Sequence, residues 1–544
     1  MNYETIGGVD IYRPSRNAEL TMRNDVESAM RTKLSSGTYR DLDTINNALK
    51  RYFSLYETKL KTLLPKIASQ RLMLFILDQY DKSSAVEAKS KESKLNESDK
   101  ILWLAIGPTY RRALKYLADC IVMLTPSETP TVEPFQCEEI LEQCMICSEQ
   151  LVEISILSTQ TFSLFPNETK LIVHPKGRLV WFDLIVENAE RLELFSRRFN
   201  KDIATRKEVI DGDYLLFNSE RISRIIDPCF KSELGMTFSD IFEFFNEIII
   251  KSNSCDEDFD IPFVNEQYFI NRLHTEINLL PQESKLILDG LCIRESNMLK
   301  EGRVVWKPKQ EYRAYTRPFF EFPHSTGTHF IWSRQMANEC MGKLKSRLVQ
   351  KQVPPEWNSN EIQKALSNYE QEITTEFENI VIQQLTNNAI SASRFKSYIG
   401  TGANKVRIPN EIGEIDIIGF WKEENLLIVG DAKLVKPALE PAMYRDDIDK
   451  FIGKRKNYVD QIKRKTKWIL ENLQKITSAL PSVNGFPDDI KINRVAPLIV
   501  TYYSSFASIF ITDVPCVALS ELISNIKEQQ SWPYSSVHDV GIKN

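Results

Sequence analysis

Two carboxylates and an amine interrupt an otherwise apolar stretch, "GEIDIIGFWKEENLLIVGDAKLVK", residues 413–436. The stretch reads as two strands joined by a polar turn, Lys422 to Asn425, with Asp416 on the first strand and Asp431 and Lys433 on the second. Side chains alternate along a strand, so Asp431 and Lys433 share a face with Leu427, Val429 and Val435. With a four-residue turn, Trp421 pairs with Leu426. Counting back five on each strand then sets Asp416 opposite Asp431. Directly paired residues have Cβ atoms about 4.5–5.5 Å apart, and like charges there destabilise the pair. A cation between them removes most of that cost. Hard divalent ions suit carboxylate oxygens, and Mg²⁺ is the usual choice where a phosphate completes the shell.

A third acid comes from the preceding segment, "EQEITTEFENIVIQQL". At helical periodicity Ile373, Phe377, Ile380, Val381, Ile382 and Leu385 form one apolar arc. Glu378 falls inside this arc and Glu376 outside it. A carboxylate facing the core needs a partner; the plainer alternative is that Glu378 sits at the edge of the arc and reaches water.

This set of residues resembles the PD-(D/E)xK nuclease superfamily, the fold of many restriction enzymes, Holliday-junction resolvases and recombination exonucleases. The resemblance rests on Glu378, on Asp416 within "GEIDIIG", and on Asp431-Ala432-Lys433 after an apolar strand. It covers roughly residues 360 to 530. The following helix, "PLIVTYY" and "VPCVALSELI" are similar to modification-dependent restriction endonucleases. Two departures are visible: no Pro precedes Asp416, and the second half of the motif is Asp-Ala-Lys where Glu-x-Lys is commoner. The resemblance implies a C-terminal α/β sandwich around a mixed sheet. It also implies Mg²⁺, with Mn²⁺ able to substitute, held by Asp416, Asp431 and the carbonyl of Ala432 and indirectly by Glu378. Lys433 would orient or deprotonate the attacking water. Glu414, two residues before Asp416, is a candidate outer partner, and Gln461 stands where some members carry a substrate-orienting Gln.

The segment "KFIGKRKNYVDQIKRKTK", Lys450 to Lys467, has eight Lys or Arg and one Asp, against a chain of net charge −5. Lys454, Arg455, Lys456, Lys463, Arg464 and Lys465 are therefore candidate phosphate contacts, with Arg394, Lys396, Lys405 and Arg407 ahead of the hairpin. Such contacts hold a nucleic-acid backbone and make binding salt-dependent without specifying sequence. A solvated helix face is the alternative. Other signals carry less. Cys137, Cys144 and Cys147 fit one helix face with no second Cys pair or nearby His, and read as core thiols rather than a zinc site. His324 and His329 in "PHSTGTHF" read as turn chemistry. "GTGANK" lacks the length and the Ser/Thr of a P-loop.

The elements that must position these residues follow from periodicity. Helices are expected over Thr44–Tyr80 with a break at Pro65, over Ile101–Leu124 and over Phe135–Ser158; the Lys/Ser/Glu-rich segment Asp81–Lys100 reads as a mobile loop or linker. A hairpin is expected over Lys170–Phe182, turning at Pro175-Lys176-Gly177. "TFSDIFEFFNEIIIKS" reads as a helix capped by Asp240 with Glu243 three residues on. Further helices are expected near Glu266–Leu280 and Ser333–Gln350. "VPPEW" marks a boundary, followed by the order α-β-β-α-β-β-α, its second helix running from Asp446 to Ile476.

The 544 residues, 42% hydrophobic and 26% charged, predict a multidomain protein: a mainly helical region 1–165, a mixed α/β region 166–354 for regulation, oligomerisation or recognition, and a nuclease-like domain 355–535. Nine cysteines do not make a disulfide framework, and neither a signal peptide nor a membrane span is expected, so a reducing cytoplasm is the expected home. The expected activity is metal-dependent DNA cleavage, in phage defence (restriction), with DNA and a homo-oligomer or partner protein as partners and no membrane. A repair or recombination nuclease, RNA cleavage and a non-catalytic scaffold that keeps the fold remain alternatives.

Overall fold

Long amphipathic helices and short strands of buried β-branched residues give a mixed α/β protein with several sheets. The computed structural model describes residues 2–124, 130, 132–165, 167–176, 181–187, 190–254, 258–301, 311–435, 441–453 and 456–540. Two compact units are present, Met1–Glu187 with Ser219–Ser367, and Asn188–Asn218 with Asn368–Asn544. Residues 188–218 leave the middle region for the C-terminal unit, a long-range exchange to which local periodicity is blind.

The first unit is led by helices Leu42–Ile67, Gln70–Lys91, Glu97–Val122 and Pro134–Thr159. Pro65 sits in the last turn of the first, which ends just beyond it. The expected loop at 81–100 is mostly helix. The preceding helix continues to Lys91, and Asn96 caps the next by accepting from Asp99 N. Buried Ser83 and Val86 anchor that extension, so a few apolar contacts outweigh a polar composition. The helix Phe238–Lys251 is capped by Thr237, whose hydroxyl accepts from Asp240 N, rather than by Asp240. Strands Thr169–Val173 and Phe182–Val186 pair as a hairpin with Gly37–Tyr39 at its edge; its second strand starts at Phe182, where the expected hairpin ended, and residues 177–180 lie outside the described residues. A four-stranded sheet joins Phe263–Asn265, Gly327–Ile331, Phe319–His324 and Cys292–Ile293. His329 stacks on Phe263 with ring centroids 4.6 Å apart, and His324 Nδ1 lies 2.9 Å from Thr326 Oγ1, as turn chemistry requires. Cys144 and Cys147 are buried, and burial pushes the Cys147 thiol up to about 12.

In the second unit, α1 (Glu190–Val209) and the later part of α2 (Asn360–Asn387) accompany a sheet of β1 (Ile390–Phe395), β2 (Ile415–Trp421), β3 (Leu426–Lys433), β4 (Arg494–Thr501) and β5 (Cys516–Ala518), in that spatial order. The first three strands are antiparallel and the last three parallel. β1 is an addition to the expected order: its mixed sequence, "ISASRF", carries no clean alternation. α3 (Tyr458–Glu471) lies over β3 and β4, and α4 (Leu519–Gln529) packs on α1. The single helix expected from 446 to 476 is broken into Pro441–Ile448, α3 and Leu473–Ala479, with Asn457 capping α3. β2 and almost all of β3 are buried, the condition that lets both read as unbroken apolar runs. The turn between them is Lys422–Asn425, closed by Asn425 N donating to Lys422 O at 3.2 Å, with Asn425 in the left-handed region at φ 47°.

A buried carboxylate ties α1 to the far edge of this sheet. Asp202 accepts from Ser504 N at 3.0 Å, from Ser520 Oγ at 2.6 Å and from Arg206 Nε at 3.1 Å. Replacing it by Ala strips Ser504, Ser520 and Arg206 of their acceptor and leaves the Arg206 charge without its anion. We expect Asp202→Ala to lower unfolding free energy by about 3 kcal/mol, read as a lower midpoint in urea at unchanged slope; a loss below about 1 kcal/mol would mean that water replaces the carboxylate.

Candidate active site in the C-terminal sheet

The register of β2 and β3 brings the interrupting charges together. Trp421 pairs with Leu426 and the ladder runs to Ile417 opposite Gly430, one step short of Asp416 and Asp431. There the ladder ends and the Asp416 carboxylate takes over, accepting from Ala432 N at 3.1 Å. On its other side β2 carries a bulge. Between the pairs Ser393–Ile418 and Phe395–Ile415, Arg394 of β1 stands against Asp416 and Ile417 together. A bulge locally re-aims side chains, here at the residue with the chemistry.

Asp416 and Asp431 are both buried. The Lys433 ammonium lies between them, 3.4 Å from Asp416 Oδ2 and 3.5 Å from Asp431 Oδ2. A second ammonium enters from α3: Lys465, itself buried, donates to Asp431 Oδ1 at 2.5 Å. Two carboxylates and two ammonium groups therefore neutralise one another out of water, the condition under which buried ions are tolerated. Burial, then Asp431, pushes the Asp416 carboxyl above the ordinary carboxylate range. Burial works against the Lys433 charge, but Asp431 and Asp416 outweigh it and raise the ammonium above its ordinary value. Asp431 Oδ2 is buried with no hydrogen-bond donor.

Behind this quartet, Glu378 of α2 is buried, whereas Glu376 is only half-buried. Arg394 Nη1 lies 2.8 Å from Glu378 Oε2, and Arg394 Nε donates to Glu414. Arg394, expected on a nucleic-acid surface, is thus a clamp between two carboxylates, and Glu414 meets it rather than Asp416. Gln461 donates to Lys456 O at 2.8 Å at the start of α3. Lys396, Lys405, Arg407, Lys456, Lys463 and Arg464 are exposed, Lys405 over the Tyr398 ring at 4.8 Å and Lys463 paired with Asp513. Lys454 and Arg455 lie outside the described residues. Lys465, a candidate phosphate contact by its place in the basic stripe, is buried instead, and its position is legible in the sequence: it follows Ile462 by three and precedes Ile469 by four, on the apolar stripe of α3. The role of Arg394 left no sequence signal, because a bulge between paired strands created it.

Among the described residues no three His, Cys, Asp or Glu side chains are gathered as a metal site. The donor chemistry nevertheless suits a hard cation. Two adjacent carboxylates, one with a bare buried oxygen, are what Mg²⁺ takes from a protein when substrate and water supply the rest. Comparison with protein-family models, with curated proteins and with solved structures finds no match to this chain.

Burial, reinforced by Asp416 and only partly offset by Arg394, pushes Glu378 up to about 7 from an ordinary 4.5. The folded protein therefore keeps a proton there that the unfolded chain has released. This contribution to stability is complete below about pH 4.5 and is lost as pH rises to about 7. In EDTA, the wild type should lose up to about 3 kcal/mol relative to Glu378→Gln across that window. Urea unfolding at several pH values reads the difference, and parallel stability curves would refute the shift.

Proposed function

We propose that the C-terminal unit is a restriction-endonuclease-like α/β sandwich and that the chain is a metal-dependent nuclease cutting DNA by phosphodiester hydrolysis. The observation that carries this reading is the convergence of Asp416, Asp431 and Lys433 where the β2–β3 ladder stops, Lys433 within 3.5 Å of both carboxylates. The order of the sheet, antiparallel β1-β2-β3 continued by parallel β4-β5, supports the fold half of the proposal.

Asp416, Asp431 and the carbonyl of Ala432 would hold Mg²⁺ or Mn²⁺, which supplies Lewis acidity: it acidifies water and neutralises charge on a scissile phosphate. The raised Lys433 ammonium fits a donor that orients a phosphate oxygen and balances charge in the transition state better than it fits a base. Lys465 holds Asp431 in place and offsets its charge. Glu378 and Glu414, joined by Arg394, brace the strand that carries Asp416. Exposed Lys396, Lys405, Arg407, Lys456 and Arg464 supply backbone contacts on a chain that is acidic overall. Phage defence is the setting we favour, on the family resemblance alone, with repair or recombination as the alternative. The first unit would act as the restraint or the recognition module, through self-association or a partner. No helix among the described residues is long and apolar enough to cross a membrane.

Supercoiled plasmid incubated with the protein in Mg²⁺ or Mn²⁺ should be nicked or linearised. Asp431→Ala and Lys433→Ala should each slow this by about 100-fold or more, and EDTA should abolish it. Chelator-insensitive DNA binding that survives Lys433→Ala, with no cleavage, would instead support a non-catalytic scaffold. A separate stability test isolates Lys465. Lys465→Met leaves the Asp431 charge buried without its ammonium, so we expect a loss of about 3 kcal/mol in EDTA, much of it recovered in Mg²⁺. No recovery in Mg²⁺ would count against cation binding at Asp431.

A further inference from the structure

The first unit holds a cluster in which Arg111, Lys115 and Lys343 gather around one carboxylate, Glu339. Two residues one helical turn apart, Arg111 and Lys115, project from the helix Glu97–Val122; two more, Glu339 and Lys343, project from the helix Arg334–Val349. Glu339 is shared: Arg111 donates to one of its oxygens and Lys115 to the other, the latter at 2.8 Å. Tyr80 donates to the same carboxylate at 2.7 Å, a third donor on its two oxygens. Lys115 lies over the Tyr80 ring at 5.0 Å and the Tyr315 ring at 5.6 Å. Lys343 sits over the opposite demand, the same Tyr315 ring, which Arg313 also approaches at 5.0 Å.

Three cations thus converge on one tyrosine ring, and a fourth, Arg111, stacks over Tyr80 at 4.7 Å. Among the described residues the Lys343 ammonium has an aromatic face but no oxygen acceptor, and Arg111 Nη1 is buried with no acceptor at all. Placing ammonium groups near one another out of water is costly unless an anion completes the set. Burial and then the neighbouring Lys115 drive the Lys343 amine well below its ordinary value, and a bound anion would favour its charged form. The side chains of Arg111 and Lys115 are 15% and 14% exposed, so neither is sealed from solvent.

We infer that this cluster is a binding site for a phosphate-type oxyanion, with Lys343 and the Nη1 edge of Arg111 as the principal donors and Lys115 as a fixed charge behind them. Planar guanidinium and mobile ammonium together suit a tetrahedral polyoxyanion better than a single carboxylate. The ligand is either free inorganic phosphate or polyphosphate, or the phosphate tail of a nucleotide. The site lies in a different unit from Asp416 and Asp431 and stands whether or not the nuclease reading holds.

The test is calorimetric titration of the full chain in EDTA with orthophosphate, pyrophosphate, tripolyphosphate and ATP, at ionic strength held constant with NaCl. Saturable binding of at least one probe is expected. It should weaken at least tenfold in Lys343→Gln and in Arg111→Gln, be retained largely in Lys343→Arg, and be unchanged in Asp416→Asn and in the exposed control Lys50→Gln. ATP binding tighter than tripolyphosphate would assign a nucleotide; equal or weaker binding would assign the inorganic anion. No saturable binding by any probe, or binding indifferent to both Lys343→Gln and Arg111→Gln, overturns the site. Arg111→Gln and Lys343→Arg keep the test decisive should Lys343→Gln fail to fold.

Discussion

Two like charges held side by side inside a sheet are the constraint on which the C-terminal unit turns. Asp416 and Asp431 face one another at the end of an antiparallel ladder, out of water, and that placement is unfavourable unless cations stand beside them. Lys433 comes from the strand itself and Lys465 from the helix laid across it. The neutral quartet explains why α3 must lie over β3, why it carries a lysine on its apolar stripe, and why the ladder ends where it does.

The same logic extends one layer back. Arg394 can reach Glu378 only because the β1–β2 pairing is interrupted opposite Asp416. The bulge, the buried helical glutamate and the strand carboxylate therefore form one mechanical unit, in which moving any part shifts the charge balance of the others. Glu378 registers this directly, since burial and the proximity of Asp416 raise its carboxyl toward neutrality of pH. A divalent cation would change the charge of the whole assembly at a single point, so metal binding, proton release and local stability are expected to move together.

Buried charge is arranged on a different principle in the first unit. There one carboxylate, Glu339, serves two cations and a tyrosine, and Lys343 lies on the face of Tyr315. The C-terminal quartet sets two cations against two anions, whereas Arg111, Lys115 and Lys343 gather around the single carboxylate of Glu339. Asp202, satisfied by Ser504, Ser520 and Arg206, is a third case, a buried ion whose only evident work is to fasten α1 in place.

The sequence alone determined the hairpin, its four-residue turn, the register that sets Asp416 against Asp431, and the inward position of Glu378. Each follows from a period, two along a strand or 3.6 along a helix, acting over a few residues. It also determined the three long helical stretches between residues 42 and 159, apart from their extent around residues 92–96, where a polar composition hid a short buried contact; the helices Arg16–Arg31 and Glu190–Val209 escaped it. Tertiary structure alone decided that α1 belongs with the C-terminal sheet, that "ISASRF" becomes an edge strand, that Arg394 clamps two carboxylates, and that Lys465 turns away from solvent onto Asp431. Those outcomes depend on partners between 16 and several hundred residues distant, through single charges whose energy is set by burial, and no local period carries that information.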